Sequence, residues 1–138
     1  MKLVYRLNKP QVACEELAGD IILLHFGSGF YYNLHGIAAD ICSYLLSGGT
    51  PETAVMQLAT QFGLEVERVR SDGQSFFDML VREGLFTMVE GTPTHAPMHI
   101  TAKIYEPPHC QKFEDMADQL LLDKIDDQSS APPTVPQL

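Results

Sequence analysis

The 138-residue chain lacks any run of about 18 apolar residues, the length at which a segment becomes a candidate membrane-spanning helix. Its N-terminus, M-K-L-V-Y-R-L-N-K-P, also lacks an apolar segment followed by a small-residue cleavage site, so it does not have the pattern of a secretory signal. We therefore expect a cytoplasmic protein that has no membrane partner.

Cysteine and basic residues are both scarce. Cys14, Cys42 and Cys110 lie far apart and form no C-x-x-C pair, which argues against a disulfide framework and a zinc knuckle. Only 9 Lys and Arg stand against 18 Asp and Glu, which gives a net charge of -9. Because Lys and Arg supply most of the affinity for phosphate backbones, this balance argues against a nucleic-acid partner.

The residues that are present organise around one stretch, D-I-I-L-L-H-F-G-S-G-F-Y-Y-N-L-H-G-I-A-A-D-I, from Asp20 to Ile41. Its two apolar runs, Ile21 to Phe26 and Phe30 to Leu34, are rich in β-branched, aliphatic and aromatic residues and predict strands. Gly27-Ser28-Gly29 between them fits a three-residue hairpin loop with a bulge. The sequence therefore predicts a local antiparallel hairpin.

Three helices are predicted after the hairpin. Apolar residues recur at helical spacing over 37–46 and predict the first helix. The run S-G-G-T-P-E-T then gives a stop, an N-cap at Thr50 and a proline at the first helical position, and the second helix ends at Gly63. The third helix is predicted over residues 65–83.

The predicted fold is α+β and winged-helix-like, with a small antiparallel β-sheet of about three strands followed by three helices and an extended C-terminal tail. Residues 3–17 should supply at least one edge strand beside the hairpin. We expect residues 1–90 to form the folded domain and 91–103 a linker. Residues 104–127 read as an interaction segment made of an extended piece and an amphipathic helix, and 128–138 as a disordered tail.

The order of these motifs resembles the PqqD-like family. It is carried by the glycine-turn hairpin, Y-Y-N-L-H-G, the apolar helix, the T-P-E-T helix start and a long helix before E-G-L-F, over about residues 11–88. Members are small peptide chaperones of pyrroloquinoline quinone biosynthesis and related precursor-peptide recognition elements. The resemblance implies a non-enzymatic module without a cofactor. Such a module holds the leader of a ribosomally made precursor peptide and presents it to a modifying enzyme, often a radical SAM protein.

In that family the peptide adds as a strand beside the third strand, which here matches Phe30 to Leu34. An exposed strand edge offers unpaired N–H and C=O groups to a guest strand. By alternation we expect Phe30, Tyr32 and Leu34 in the core and Tyr31 and Asn33 exposed. The predicted peptide-binding residues are Phe30, Tyr31, Tyr32, Asn33 and Leu34 on the strand, with Arg70, Gln74, Phe77 and Val81 across the groove on the third helix.

The tail extends beyond the shortest family members and carries a second set of candidate contacts. They are Ile104, Tyr105, Phe113, Met116, Leu120 and Leu121. One hypothesis is that the tail binds in cis, with Lys103 to Glu106 as the added strand. The alternative is that it docks on a partner enzyme or packs passively, and a homodimer also stays open.

Other chemistry finds weak support in the sequence. His95, His99, His109 and Cys110 could be read as metal ligands, but Pro93 and Pro97 oppose the helix that would bring two histidines together, and we expect no metal. No nucleophile-elbow or phosphate-loop motif occurs, which argues against an enzyme.

A winged-helix transcription regulator or a general protein-interaction adaptor is the alternative, because fold alone does not fix function. Its recognition helix should be basic, yet the third helix sets Arg68, Arg70 and Arg82 among five acidic residues.

Overall fold

The structure, a computed structural model, describes residues 2–114. The part of the interaction segment beyond residue 114 and the tail at 128–138 lie outside the described residues. Within 2–114 the chain forms six strands and three helices. In order they are β1 (Lys2–Leu7), β2 (Val12–Leu17), β3 (Asp20–His25), β4 (Phe30–Leu34), α1 (Ile37–Leu46), α2 (Pro51–Phe62), α3 (Val66–Arg82), β5 (Phe86–Gly91) and β6 (Cys110–Phe113).

The predicted hairpin is the centre of the main sheet. β3 and β4 pair antiparallel, with Leu23 opposite Tyr32, and the turn closes through a 2.9 Å bond from the Gly29 N–H to the His25 carbonyl. Gly29 has a φ of 79°, which a side chain disfavours. β2 pairs with the other side of β3 as the expected edge strand.

The main sheet has four strands rather than about three. Its order is β2-β3-β4-β6, and β1 pairs with β5 in a separate two-stranded antiparallel sheet. The β1–β5 pairing was not predicted, and a tail strand beside β4 was hypothesised but with another segment. Each pairing joins segments more than 70 residues apart, and local periodicity carries no information about such contacts.

The strand added to β4 is Cys110–Phe113, not Lys103 to Glu106 as hypothesised. The reason is the anchor at Tyr105, whose hydroxyl donates to Asp72 at 2.8 Å and whose ring packs on Phe62. Asp72 and Glu83, which lies beside β4, are separated along α3 by about 16 Å at 1.5 Å per residue. Tyr105 is thereby held against α2 and α3, Ile104 and Glu106 lie near His35 just beyond the end of β4, and pairing with β4 begins only at Cys110.

The helices follow the sequence signals. The Thr50 side chain accepts the Thr53 N–H at 3.2 Å, Pro51 opens α2, and Gly63 ends it in the left-handed region at φ 66°. α3 lies within the predicted residues 65–83. None of the helices within residues 2–114 combines the length and apolar character needed to cross a bilayer.

The hydrophobic core lies between the main sheet and the helices. Leu23, Tyr32 and Leu34 of the sheet are fully buried together with Ile41 and Leu45 of α1. On the other side, Tyr5 of β1 and Phe86 of β5 pack on each other and, through Tyr5, on Phe77 of α3. The two sheets thus enclose the helices' apolar faces in one continuous cluster.

The segment predicted as a linker runs along the helices as a strap, which we define as residues 92–109. Its Thr94 N–H bonds the Gly48 carbonyl, Met98 is buried, and the Met98 N–H donates to the Gln57 side chain at 2.7 Å. The segment was predicted to be a linker because its apolar residues show no periodicity. In the structure it is held by individual side chains and backbone N–H donors, and such contacts produce no periodic pattern in the sequence.

Candidate functional site

The alternation predicted for β4 is present in the structure. Tyr32 and Leu34 are fully buried and Phe30 is half-buried against the same core. Tyr31 and Asn33 point to the other face, yet they are half-buried rather than exposed, because β6 lies beside them. The candidate edge of β4 is therefore occupied by a segment of the same chain.

β6 fixes a register on β4. The two strands are antiparallel and the directly opposed pairs are Tyr31 with Phe113, Tyr32 with Lys112, Asn33 with Gln111 and Leu34 with Cys110. Because side chains alternate along both strands, one set of pairs faces the core side and the other faces outward.

The core-side pair meets an acidic residue at the end of α3. The Tyr32 hydroxyl donates to Glu83 Oε1 at 2.8 Å, and Lys112 Nζ lies 2.8 Å from the same oxygen. Lys112 Nζ also lies 4.6 Å from the centre of the Phe30 ring and 6.0 Å from that of Tyr32. The ammonium is therefore held by one carboxylate and two aromatic rings.

The electrostatics of this cluster agree with its geometry. The hydrogen bond from Lys112, then that from Tyr32, lowers the pKa of Glu83. Burial first, and the bond to Glu83 second, raise the pKa of Tyr32. Near neutral pH the arrangement is accordingly a carboxylate that accepts hydrogen bonds from a neutral phenol and an ammonium.

The outward pair is aromatic. The rings of Tyr31 and Phe113 stack with centroids 4.7 Å apart and planes 16° from parallel. Such a pair contributes about 0.5–1.5 kcal/mol beyond its buried area. Phe113, one of the predicted tail residues, thus contacts one of the predicted peptide-binding residues.

Cys110 completes the contacts on the core side. It is opposite Leu34, and its Sγ lies 4.0 Å from Met79 Sδ of α3. Burial is the main cause that raises the pKa of Cys110, and burial likewise raises the pKa of Cys42 in α1. Both thiols stay protonated near neutral pH, which does not suit a nucleophile.

The structure does not bring the predicted helix residues to this edge. Arg70 pairs with Glu52 of α2 and with Glu67, and Gln74 donates to Asp78. Phe77 is buried against Tyr5, and Val81 is exposed. These four side chains lie on sides of α3 that do not face β4.

The helix residues that reach the strand are Met79 and Glu83. They are four positions apart and share a face, whereas Val81 is two positions from each and lies about 200° round the helix. The sequence contained a signal for Glu83. An acidic residue at a helix C-terminus interacts unfavourably with the helix dipole, so a basic partner is expected nearby.

Asp40 is a second residue that sequence reasoning missed. It is buried within the apolar stripe of α1, and its carboxylate accepts the Thr101 N–H at 2.9 Å, the Thr101 hydroxyl at 2.7 Å and the Ala102 N–H at 3.0 Å. These three bonds fasten the strap to α1. A charged residue inside an apolar stripe was the signal.

The remaining tail residues fall into three groups. Ile104 is exposed, and Tyr105 packs on α2 and α3, with the Arg68 guanidinium 5.7 Å from its ring centre. Met116, Leu120 and Leu121 lie outside the described residues. Phe113 is therefore the described tail residue that contacts β4.

Basic side chains on α3 are paired with acids. Arg68 lies 3.7 Å from Asp72, Arg70 contacts two glutamates, and Arg82 lies 3.8 Å from Glu83. This neutralised surface does not resemble a helix that reads DNA. Within residues 2–114 no group of three or more His, Cys, Asp or Glu side chains is gathered as a metal site.

An open cavity beside the sheets lies away from this edge. It has a volume of about 1090 Å³ and is open, between β1, β2 and the C-terminal end of α1, with Val12, Phe26 and Leu45 in its wall. Its wall carries no acid–base pair, so we place the candidate site at β4 and not there.

Comparison with known proteins bears directly on the β4 region. Residues 20–85 match the family described as "Coenzyme PQQ synthesis protein D (PqqD)". The chain contains a PqqD-like domain. The match begins with β3, includes β4 and all three helices, and ends before the strap and β6. β6 is thus an addition to the PqqD-like domain, supplied from outside the matched residues.

A solved structure shares the fold. It is described as "TbiB1 in Complex with the TbiA(beta) Leader Peptide", with a TM-score of 0.55 and 22% identity over 62% of this chain and 99% of that chain. Comparison with curated proteins gives no match.

Proposed function

We propose that the protein is a non-catalytic peptide-binding module of ribosomal peptide modification. In this proposal the leader of a precursor peptide adds as a strand along β4 in place of β6. The module then presents the peptide to a modifying enzyme, for which a radical SAM protein is the first candidate.

One observation carries the proposal: the β4 edge of the PqqD-like domain pairs with a strand that comes from outside that domain. The edge thus offers main-chain hydrogen bonds, an aromatic face at Tyr31 and a polar pocket at Glu83 to an added strand. Main-chain pairing with side-chain pockets is the physics of peptide recognition by strand addition. The similar structure of TbiB1 was solved with a leader peptide, which supports the same use of this fold.

Replacement of β6 is energetically feasible. β6 has four residues, pairs with β4 on one side and leaves Gln111 and Lys112 exposed. Because β6 is part of the chain, it competes with a guest at an effective concentration on the order of millimolar. A longer guest strand can overcome this advantage, since each additional main-chain hydrogen bond contributes about 1 kcal/mol to its binding.

A disulfide lock tests the proposal. Asn33 and Gln111 are directly opposite, and such cross-strand pairs have Cα atoms about 4.5–5.5 Å apart, within the range that a disulfide spans. We would combine N33C with Q111C in a C14A/C110A background and offer displayed random peptides to the oxidised and reduced forms. The reduced form should select peptides that the oxidised form does not bind.

The same protein in its two redox states is the matched control, and the background without the new cysteines should bind equally in both. Peptides that bind the oxidised lock as well as the reduced form would show that the guest does not replace β6. Failure to select any peptide with the reduced form would count against peptide binding itself.

A further inference from the structure

The contacts of β6 define what the β4 edge recognises. On the core side, Glu83 is only 21% exposed, and its Oε1 accepts the Tyr32 hydroxyl and lies 2.8 Å from Lys112 Nζ, which in turn lies 4.6 Å from the centre of the Phe30 ring. A carboxylate flanked by aromatic faces favours a cation over a neutral or acidic group. Arg82 also lies near Glu83, at 3.8 Å, but its side chain is 66% exposed, so it leaves the pocket side of the carboxylate to Lys112.

The outward side selects a different residue type. Tyr31 offers a flat, half-buried ring, and Phe113 covers it by stacking. Any strand in this register places the residue opposite Tyr31 directly after the residue opposite Tyr32, because the guest runs antiparallel. A cation for Glu83 and a ring for Tyr31 are therefore neighbours in the guest sequence.

A third position lies opposite Leu34 and beside Met79. Cys110 occupies it between Leu34 and Met79, two residues before Lys112 and on the same side of the strand. A small apolar side chain fits there. The residue between, at the place of Gln111, points outward beside Asn33 and is less restricted.

We propose that the guest peptide carries a basic residue followed at once by an aromatic residue, with a small apolar residue two places before the basic one, and that β6 is the chain's own copy of this motif. The inference rests on the proposed function and names the class of peptide that the same edge accepts. Glu83 is the residue that selects the basic position, and an acidic residue there is rejected by like charge.

The test uses the full chain and a synthetic peptide of known sequence. The protein carries K112E, which sets a second carboxylate against Glu83 and weakens β6. The probe is a labelled peptide with the sequence of residues 106–114, E-P-P-H-C-Q-K-F-E, together with versions in which its lysine is replaced by glutamate or its phenylalanine by alanine. Binding is followed by fluorescence anisotropy under reducing conditions.

The lysine peptide should bind about tenfold or more tightly than the glutamate peptide, as loss of a charge-assisted bond predicts. The alanine peptide should bind severalfold more weakly than the parent. In a protein that carries E83K together with K112E, the order of the lysine and glutamate peptides should reverse. If the protein with E83K does not fold, E83Q combined with K112E replaces it. In that protein the ratio of the affinities for the lysine and glutamate peptides should fall to near unity.

Equal binding of the lysine and glutamate peptides, or no binding by either, overturns the inference. The proposed function is judged separately by the disulfide lock with random peptides. If that experiment selects peptides without a basic–aromatic pair, the proposed function stands and the inference fails.

Discussion

Glu83 and Lys112 show how a single ion pair can hold a strand in place. The carboxylate lies at the C-terminal end of α3, where the helix dipole disfavours it, so its basic partner offsets both the dipole and the partial burial. Lys112 is 36% exposed, which limits the strength of the pair through solvent screening.

We predict that K112E weakens docking of β6 by about 1–2 kcal/mol, through loss of the pair and repulsion from Glu83. The sequence contains no tryptophan, so F113W provides a single fluorescent reporter stacked on Tyr31. K112E should shift its emission toward that of exposed indole, and E83K added to K112E should restore it. Unchanged emission in K112E would show that the ion pair does not hold β6.

Asp40 fastens the strap to α1 through three hydrogen bonds. D40N replaces a carboxylate that accepts three hydrogen bonds with a neutral amide, so the bonds from the Thr101 and Ala102 N–H groups lose their charge assistance and the NH₂ group faces the Thr101 hydroxyl. We expect a loss of about 2–3 kcal/mol in the free energy of unfolding, measured by urea denaturation. D78N, at an exposed position of α3, is the matched control and should change stability by less than about 0.5 kcal/mol. A D40N loss as small as that of the control would mean that the strap is not fastened at this point.

At the scale of elements, the best-predicted parts were those whose signals are local. The Thr50 cap and the Gly63 stop depend on residues close in sequence, and both were located correctly. The hairpin turn was also placed correctly, but its loop has four residues, 26–29, rather than the predicted three, because β3 ends at His25. The separate β1–β5 sheet and β6 depend on distant partners. The first was not predicted, and the second was hypothesised as an added tail strand but at Lys103 to Glu106. The side of α3 that faces β4 was also missed, because Met79 and Glu83 are brought there by contacts with β6, which is distant in sequence.

The cap of α2 gives a test at this scale. T50A removes the side-chain oxygen that accepts the Thr53 N–H, and we expect a loss of about 1 kcal/mol of stability by thermal or urea unfolding. T60A is the control, since Thr60 is exposed within α2 and its hydroxyl bonds only to the preceding turn. Alanine is the better helix former there, so T60A should be neutral or slightly stabilising. Equal losses in the two variants would contradict the role of the cap.

Docking of β6 should depend on pH in the acid range. The pKa of Glu83 is lowered in the folded state, so its contribution is present above the unfolded value near 4.5 and is lost as the pH falls through the folded value. We therefore expect the emission of the F113W variant to change toward exposed indole as the pH falls below about 4.5. In E83Q this acid transition should be absent, and its persistence there would assign the effect to another group.

At the scale of the whole molecule, the PqqD-like domain and the added segment differ in how far the sequence predicts them. The domain could be inferred from motifs spread over about residues 11–88, and the family match covers residues 20–85. The occupant of its β4 edge could not be inferred in detail, because the path of the strap is set by Asp40, Gln57 and Asp72, single polar side chains on three different helices. Most of the groups that bond to these side chains are backbone N–H donors. Because such donors occur in any sequence, no sequence pattern marks the residues that bind.

Self-occupation leads to a prediction about affinity. A guest that replaces β6 binds only the fraction of molecules in which β6 has left, so its apparent Kd equals the intrinsic value divided by that fraction. K112E raises the fraction while leaving Glu83, Tyr32 and Phe30 in the chain. We expect the labelled peptide of residues 106–114 to bind K112E about tenfold more tightly than the unaltered protein, since about 1.4 kcal/mol of lost docking corresponds to one factor of ten.

The control for this comparison is D78N, which alters charge on α3 away from Lys112 and should leave the apparent Kd unchanged. The opposite ranking is equally informative. A peptide that pairs with the outer edge of β6 would need β6 in place, and would bind K112E more weakly than the unaltered protein. Tighter binding by K112E thus supports replacement of β6, and weaker or equal binding argues that the sheet is extended with β6 retained.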